Sequence, residues 1–254
     1  MKKFINGFLI SLFAAISQGA FAHTTILDQG MEGSTVRTFI NIPHGCGHLT
    51  KIGNLGVKAM SVVFPNAVDS EATRVDTGEP ISLSTVMSGA NDFNGGLVVI
   101  SPRVVKTTDV FQINTPLKDA NGNVHGIRYV DGYLEPELTG IFPFQAALGS
   151  FVPASCAKKI IARVGIANYC TKGTGVRHAD IWIGHLTPAF NDPNIVSVQP
   201  DGSPLSPPFW PGLVINRNLV TNPLDAACGA GFDVTLEPSS ADIDATLPID
   251  GYNP

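Results

Sequence analysis

"STVRTFINI", Ser34–Ile42, decides the fold class. Its apolar residues are β-branched or aromatic, side chains that fit a pleated, half-buried surface. The spacing predicts a strand, with Val36, Phe39 and the isoleucines feeding a core. The same texture recurs along the chain. "GVKAMSVVF" (56–64), "GLVVI" (96–100), "TDVFQIN" (108–114), "HGIRYV" (125–130), "KKIIARVGIANY" (158–169) and "HADIWIG" (178–184) are all short runs rich in Val, Ile and Phe. Between them lie most of the 26 glycines and 19 prolines. Short strands punctuated by frequent turn residues predict an all-β domain.

Two local features refine the picture. Asn121-Gly122 in "KDANGNVHG" is a hairpin turn signal. "ELTGIFPFQAALGS" (137–150) is apolar but carries Pro143, which predicts an edge strand or a bend, because proline cannot donate to a ladder. From about Thr187 the character changes. "PAFNDPNIVSVQPDGSPLSPPFWPG" holds seven prolines in one short span. The expected organisation is therefore a main domain over 23–186 and an irregular Pro-rich C-terminal extension, 187–254, packed on it and pinned back through Cys228. No internal repeat is present.

The first 22 residues have the form of a secretory leader. Lys2 and Lys3 precede an apolar run, Phe4 to Ala15, and Ala20-Phe21-Ala22 has the small-x-small form of a cleavage site. The run is shorter than the roughly 20 apolar residues a spanning helix needs. Cleavage after Ala22 predicts an exported, periplasmic or secreted chain with no membrane span. The leader holds two lysines and no acids, so net charge moves from −5 to −7 on processing. An acidic chain without basic runs argues against nucleic-acid binding. Four cysteines (Cys46, Cys156, Cys170, Cys228) in an exported chain predict two disulfides. Three connectivities are open, and no pair has the spacing of a redox or zinc motif.

The chemistry concentrates at the new N-terminus. Cleavage after Ala22 makes His23 the first residue. Its α-amine and imidazole Nδ1 can close a six-membered chelate on one metal ion. The free groups titrate near about 8 and about 6.5, so both are available at neutral pH for modest proton release. Tetragonal nitrogen and oxygen sites suit Cu(II), which also leads the divalent affinity order. Further ligands must come from elsewhere. "PHGCGHLTK" places His44 and His48 around Cys46 in a loop. The simpler reading there is a disulfide with solvated or hydrogen-bonded histidines. In "VRHADIWIGH", period two sends His178, Asp180 and Trp182 to one face of a strand, with His185 following. A polar face with one large aromatic is not a core pattern, so this strand is a site candidate. Glu71, Glu135 and Glu137 are candidate carboxylates. Nucleophile elbows, phosphate loops and zinc-protease motifs are absent. "NDFNGG" and "KDANGN" lack the spacing of a calcium loop and are simply turns.

These residues resemble the YcnI-like family of exported bacterial copper-binding domains. The resemblance rests on "AFA" then "HTTI" at the mature start, "VRTFINIPHGCG", "VKAMSVVFPNAV" and a late strand ending in Cys, and it covers roughly 23–184. It implies an immunoglobulin-like β-sandwich and a site built on the N-terminal His chelate plus a carboxylate, with a Trp beside the metal. Carried over, His23 supplies the amine and Nδ1, and Trp182 is the site tryptophan. Glu71 in "FPNAVDSEAT" is the best positional match for the carboxylate, with Glu135, Glu137 and Asp180 behind it, and His178 is a further fallback metal ligand. The resemblance further implies Cys46–Cys170, which leaves Cys156–Cys228 to tie down the extension. The chain departs from the family pattern in its long tail and in "GIFPF", which stands where an acidic motif is usual.

The expected function is a non-enzymatic, exported protein that binds one Cu(II) per chain and buffers, delivers or acquires it. Its partners would be a periplasmic copper chaperone or a membrane copper transporter. A copper monooxygenase would need a second histidine, from His44, His125 or His178, and a flat aromatic surface that 4 Tyr and 2 Trp hardly furnish. A metal-free surface or adhesion-type sandwich is the remaining alternative, since fold does not fix function.

Overall fold

Among the described residues, the strand-rich texture folds into sixteen short strands and one short α-helix. The computed structural model describes residues 23–26, 28–46, 55–65, 70–89, 98–107, 109–172, 178–205 and 209–252. The leader, the cleavage triplet and His48 lie outside them. In chain order the strands are β1 (Thr25–Ile26), β2 (Gln29–Met31), β3 (Thr35–Ile42), β4 (Ala59–Val63), β5 (Glu71–Arg74), β6 (Met87–Gly89), β7 (Ile100–Val104) and β8 (Phe111–Lys118). They continue with β9 (Val124–Gly132), β10 (Gly140–Leu148), β11 (Ser150–Phe151), β12 (Ala157–Arg163), β13 (Gly165–Tyr169), β14 (Ala179–Trp182), β15 (Gly212–Asn216) and β16 (Phe232–Glu237). Helix α1 (Ser240–Thr246) follows.

Three sheets share one core. Their orders are β1-β3-β10-β7, β2-β15-β12-β16-β5 and β14-β13-β4-β9-β8, with β11-β6 as a small fourth pair. Ile40 and Phe144 from the first, Ile160 and Leu236 from the second, and Met60 and Ile166 from the third all join one buried cluster. The all-β expectation holds, and the facing sheets form a β-sandwich. On β3 the buried residues are Thr38, Ile40 and Ile42. Phe39 therefore points to the opposite, half-buried side, because period two cannot send it inward with the isoleucines.

Pro143 does not make an edge strand. β10 is central, paired with β3 along Gly140–Ala147 and with β7 along Phe144–Leu148. The β7 ladder begins one residue after the proline, so β10 is an edge only locally, where its N–H is missing. "KKIIARVGIANY" is likewise not one strand. It breaks at Val164 into β12 and β13, which belong to different sheets. The Asn121-Gly122 turn joins β8 to β9 as predicted: Gly122 has φ +83°, and Asp119 accepts from the N–H groups of Asn121 and Asn123, both at 2.9 Å. The strand predicted over 96–100 begins only at Ile100 among the described residues.

The C-terminal segment is more than an extension packed on a finished domain. β15 and β16 flank β12 on both sides, so the second sheet cannot form without them. The same segment covers the outer face of the third sheet. Phe190, Ile195, Trp210, Ile243 and Leu247 bury Ala59, Val63, Ala167, Tyr169 and Ile181. This explains why β4 and β13 are buried at every position. Three strands also satisfy successive carbonyls at the end of α1: the Ser61 hydroxyl donates to Thr246 O at 2.9 Å, Tyr169 OH to Leu247 O at 2.9 Å and an Arg128 Nη to Pro248 O at 3.0 Å.

Both disulfides join the pairs the resemblance implied. Cys46–Cys170 ties the "PHGC" loop to the end of β13, and Cys156–Cys228 ties the C-terminal segment to the start of β12. No free cysteine is present among the described residues. No helix among them is long and apolar enough to cross a membrane. Paired cysteines fit an exported protein.

Candidate metal centre

Antiparallel register brings the two ends of the candidate site together. β1 pairs with β3 so that Thr25 faces Asn41 and Ile26 faces Ile40. Continuing that register, His23 arrives beside Pro43, at the head of "PHGC". The separation in sequence hides this neighbourhood. Thr24 is buried, and its hydroxyl accepts from Asn168 Nδ2 on β13 at 3.1 Å. Asn168 in turn stands opposite Asp180 on β14, two pairs along the ladder from Ile166 opposite Trp182. Thus β13 clamps the residue after His23, and β14 presents Asp180 and Trp182 along one face.

His23 is held by aromatic rings. Its imidazole stacks on Phe209 at 4.0 Å between centroids, tilted 27°, and meets the edge of Trp182 at 5.3 Å. Burial, and then the positive charge of His44, lower its pKa. Both effects favour the neutral imidazole, the form that binds a metal. A cavity of about 270 Å³ opens beside these rings. His23, Asp180 and Trp182 line one side of it; Ile195, Val198 and Leu205 line the other. That far wall comes from the Pro-rich span whose role the sequence left open.

Three expected site residues therefore meet: His23, Trp182 and Asp180. Trp182 is only 5% exposed, and its indole N–H is buried without a hydrogen-bond partner in the structure. The expectation that this strand is not a core strand is corrected. β14 is buried on both faces, Trp182 contributes to the central cluster, and Asp180 is the half-buried polar position at its rim.

The other candidates lie elsewhere. Glu71 opens β5 and is exposed directly opposite Glu237 on β16. Burial raises the Glu237 pKa; Arg163 opposes this and Glu71 adds to it. The Glu71 charge also bears on His185, whose pKa burial lowers. Glu71 thus belongs to the Glu237–His185 neighbourhood and does not line the His23 cavity. Positional matching chose it because the strand before it was right; the following segment carries it to another sheet. Glu135 and Glu137 are exposed on either side of Pro136, whose carbonyl accepts from Gly45 N–H at 3.4 Å. They flank the "PHGC" loop and do not line the cavity. His178 is 5% exposed, and its carbonyl accepts from the N–H groups of Cys170 and Thr171. His185 bonds Ser240 at 3.0 Å and packs its ring edge against Trp210.

Among the described residues, no three His, Cys, Asp or Glu side chains stand together as a ready metal cluster. The donor set here needs the α-amine of His23, which is an amide nitrogen while Ala22 precedes it. Side chains alone cannot show such a site. The residues present do fit a Cu(II) ion in donor chemistry: an imidazole whose protonation burial disfavours and a nearby carboxylate, walled by apolar rings. Phe209 is the residue the sequence did not single out for this site. It has no motif around it and arrives through the path of the Pro-rich span.

No family model matches the chain, and no curated protein matches it. Among solved structures, the chain is similar to an uncharacterized protein from Nocardia farcinica described as having an immunoglobulin-like fold. That similarity has a TM-score of 0.33 and 15% identity, over 77% of this chain and 98% of the other.

Proposed function

We propose that this protein is an exported, non-enzymatic copper carrier whose metal anchor is created by cleavage after Ala22. The observation that carries the reading is His23 held between Phe209 and Trp182 on the wall of a cavity that Asp180 shares. In the processed chain the α-amine and Nδ1 of His23 would hold the ion. Asp180 takes the carboxylate role first sought at Glu71, because it lies on the same wall. Trp182 and Phe209 shield one side from water and fix the imidazole plane, as the apolar shell of a metal site does. Bound there, Cu(II) would supply a single exchangeable cation with open positions, which suits buffering and transfer in the periplasm or outside the cell, to a copper chaperone or a membrane copper transporter.

Trp182 supplies the test. Equimolar Cu(II) added to the processed protein should quench much of the tryptophan emission. Quenching should vanish in His23→Ala, and only the weaker signal of Trp210 should respond in Trp182→Phe. Equal quenching in protein and in His23→Ala would place the ion elsewhere and end this reading.

A further inference from the structure

We propose that the outer face of the first sheet is a binding surface for an acidic polysaccharide, whose successive carboxylates are met by Arg37, Arg103 and Lys118. This site goes beyond the copper reading and does not depend on it.

Register sets the cations in line. Gln145 on β10 stands opposite Arg37 on β3 and opposite Arg103 on β7. Residues directly opposite one another in a ladder share a face of the sheet. On β3 and β10 that face is the one turned away from the buried Ile40 and Phe144. Arg37 and Arg103 therefore flank Gln145 on the open side. Neighbouring strands lie about 4.8 Å apart, so two strand spacings set the arginine Cα atoms roughly 10 Å from each other. Arg103 belongs to β7, the edge strand of this sheet. Beyond it a groove of about 370 Å³ leads to Lys118 on β8, and both residues line it. The cations thus cross the strands in the order β3, β7, β8.

Charge is the second argument. Arg37, Arg103 and Lys118 are all exposed. None of them pairs with a carboxylate among the described residues, where the ion pairs are Arg74–Asp76 and Lys159–Asp233. The chain as a whole carries a net charge of −5. Yet the residues that share this face on β3, β10 and β7 include no Asp or Glu. Unpaired arginines on a face cleared of acids give a local positive field on an acidic protein, which draws an anionic partner to that face.

Shape selects the partner. Ile141 lies on the same face of the central strand and is 57% exposed, so the face is open among the described residues. Two guanidinium groups about 10 Å apart on a flat sheet do not converge on one small anion. They match the repeated anionic groups of a linear polymer, and the planar guanidinium fork takes a carboxylate bidentately. The neighbouring rows supply what a sugar chain needs. Phe39 opposite Pro143 is an apolar strip for the C–H face of a ring. Thr35 and Ser101, both opposite Ala147, bring hydroxyls for hydrogen bonds. Nucleic acid fits less well, because the half-buried Phe39 is a single ring and not a platform for successive bases.

Calorimetric titration of the metal-free processed protein with polygalacturonate tests the proposal, with neutral dextran as the uncharged control. Polygalacturonate should bind, more weakly as salt is added, and dextran should not. Arg37→Gln combined with Arg103→Gln should weaken binding by roughly tenfold or more, since each arginine loses a charge-assisted contact. Both side chains are exposed, so the variant keeps its core, and its thermal melt checks this. Lys58→Gln combined with Lys172→Gln removes the same charge from exposed positions elsewhere and should bind as the unsubstituted protein does. No binding of polygalacturonate, or equal weakening in the two double variants, overturns the inference. So does single-stranded DNA or a phosphatidylglycerol vesicle that binds as tightly as polygalacturonate through the same arginines. No metal enters the titration, so its failure leaves the copper reading untouched.

Discussion

At the scale of single residues, the candidate site is the His23 imidazole set against the rings of Phe209 and Trp182. Burial and His44 hold the His23 pKa below its ordinary value. A histidine whose folded pKa lies below its unfolded one contributes stability that is present above about pH 6.5 and lost as pH falls from there through the folded value. The metal-free processed protein should therefore lose stability on acidification through that window. Replacing His44 by Gln should move the His23 titration upward, which two-dimensional NMR of the imidazole protons would show. An unmoved titration would mean that His44 does not act on His23. Trp182 has a different role. Its indole is 5% exposed within the central cluster, so Trp182→Ala should cost about 3–5 kcal/mol in denaturant unfolding, and Trp182→Phe clearly less.

At the scale of elements, the ladders were legible and the partnerships were not. Alternation in "STVRTFINI" announced β3, and Asn-Gly announced the β8–β9 turn. Nothing local announced that Pro143 would sit in a central strand, because that depends on where β7 stops. Nor did composition reveal the break at Val164, since both β12 and β13 are apolar enough to have been one strand. A buried arginine shows the same limit. Arg217, just past β15, is 3% exposed and donates to the carbonyls of Ser155, Ala157, Pro153, Asn222 and Pro223. The Glu32 carboxylate meanwhile accepts from Phe151 N, Asn218 N and Asn222 Nδ2. Arg217→Met would strand several buried carbonyls at once and should cost about 3 kcal/mol or more in chemical denaturation. The nearby Cys156–Cys228 bridge closes a span of 72 residues. Replacing both cysteines by serine should lower stability by about 4 kcal/mol on the chain-entropy estimate. A loss under 1 kcal/mol would show that the hydrogen bonds around Arg217 already hold the segment.

At the scale of the whole molecule, the chain closes on itself. The N-terminal residues pair with β3, and the C-terminal third supplies two strands of one sheet and the cover of another. A chain cut after residue 186 leaves β12 without either neighbour and exposes a face made of Ala59, Val63, Ala167 and Ile181. That fragment should lack a cooperative thermal transition by calorimetry. A fragment that melts like the full chain would restore the picture of a separate appendage. Sequence reading saw the prolines of 188–212 and not the surface they cover, because an irregular segment carries no period to match against a sheet. The candidate site divides in the same way. His23, Asp180 and Trp182 could be picked out from cleavage and period two. Phe209 could not, because its proximity to His23 comes only from the closing of the fold.

The most direct test of the central claim is EPR of the processed protein, its N-terminus confirmed by intact mass, titrated with Cu(II) beside a variant carrying one extra glycine before His23. The account predicts one tightly bound Cu(II) per chain in the processed protein and loss of that signal in the extended variant, because the added residue turns the chelating amine into an amide. An unchanged signal in the extended variant, or no bound copper in either protein, would contradict it.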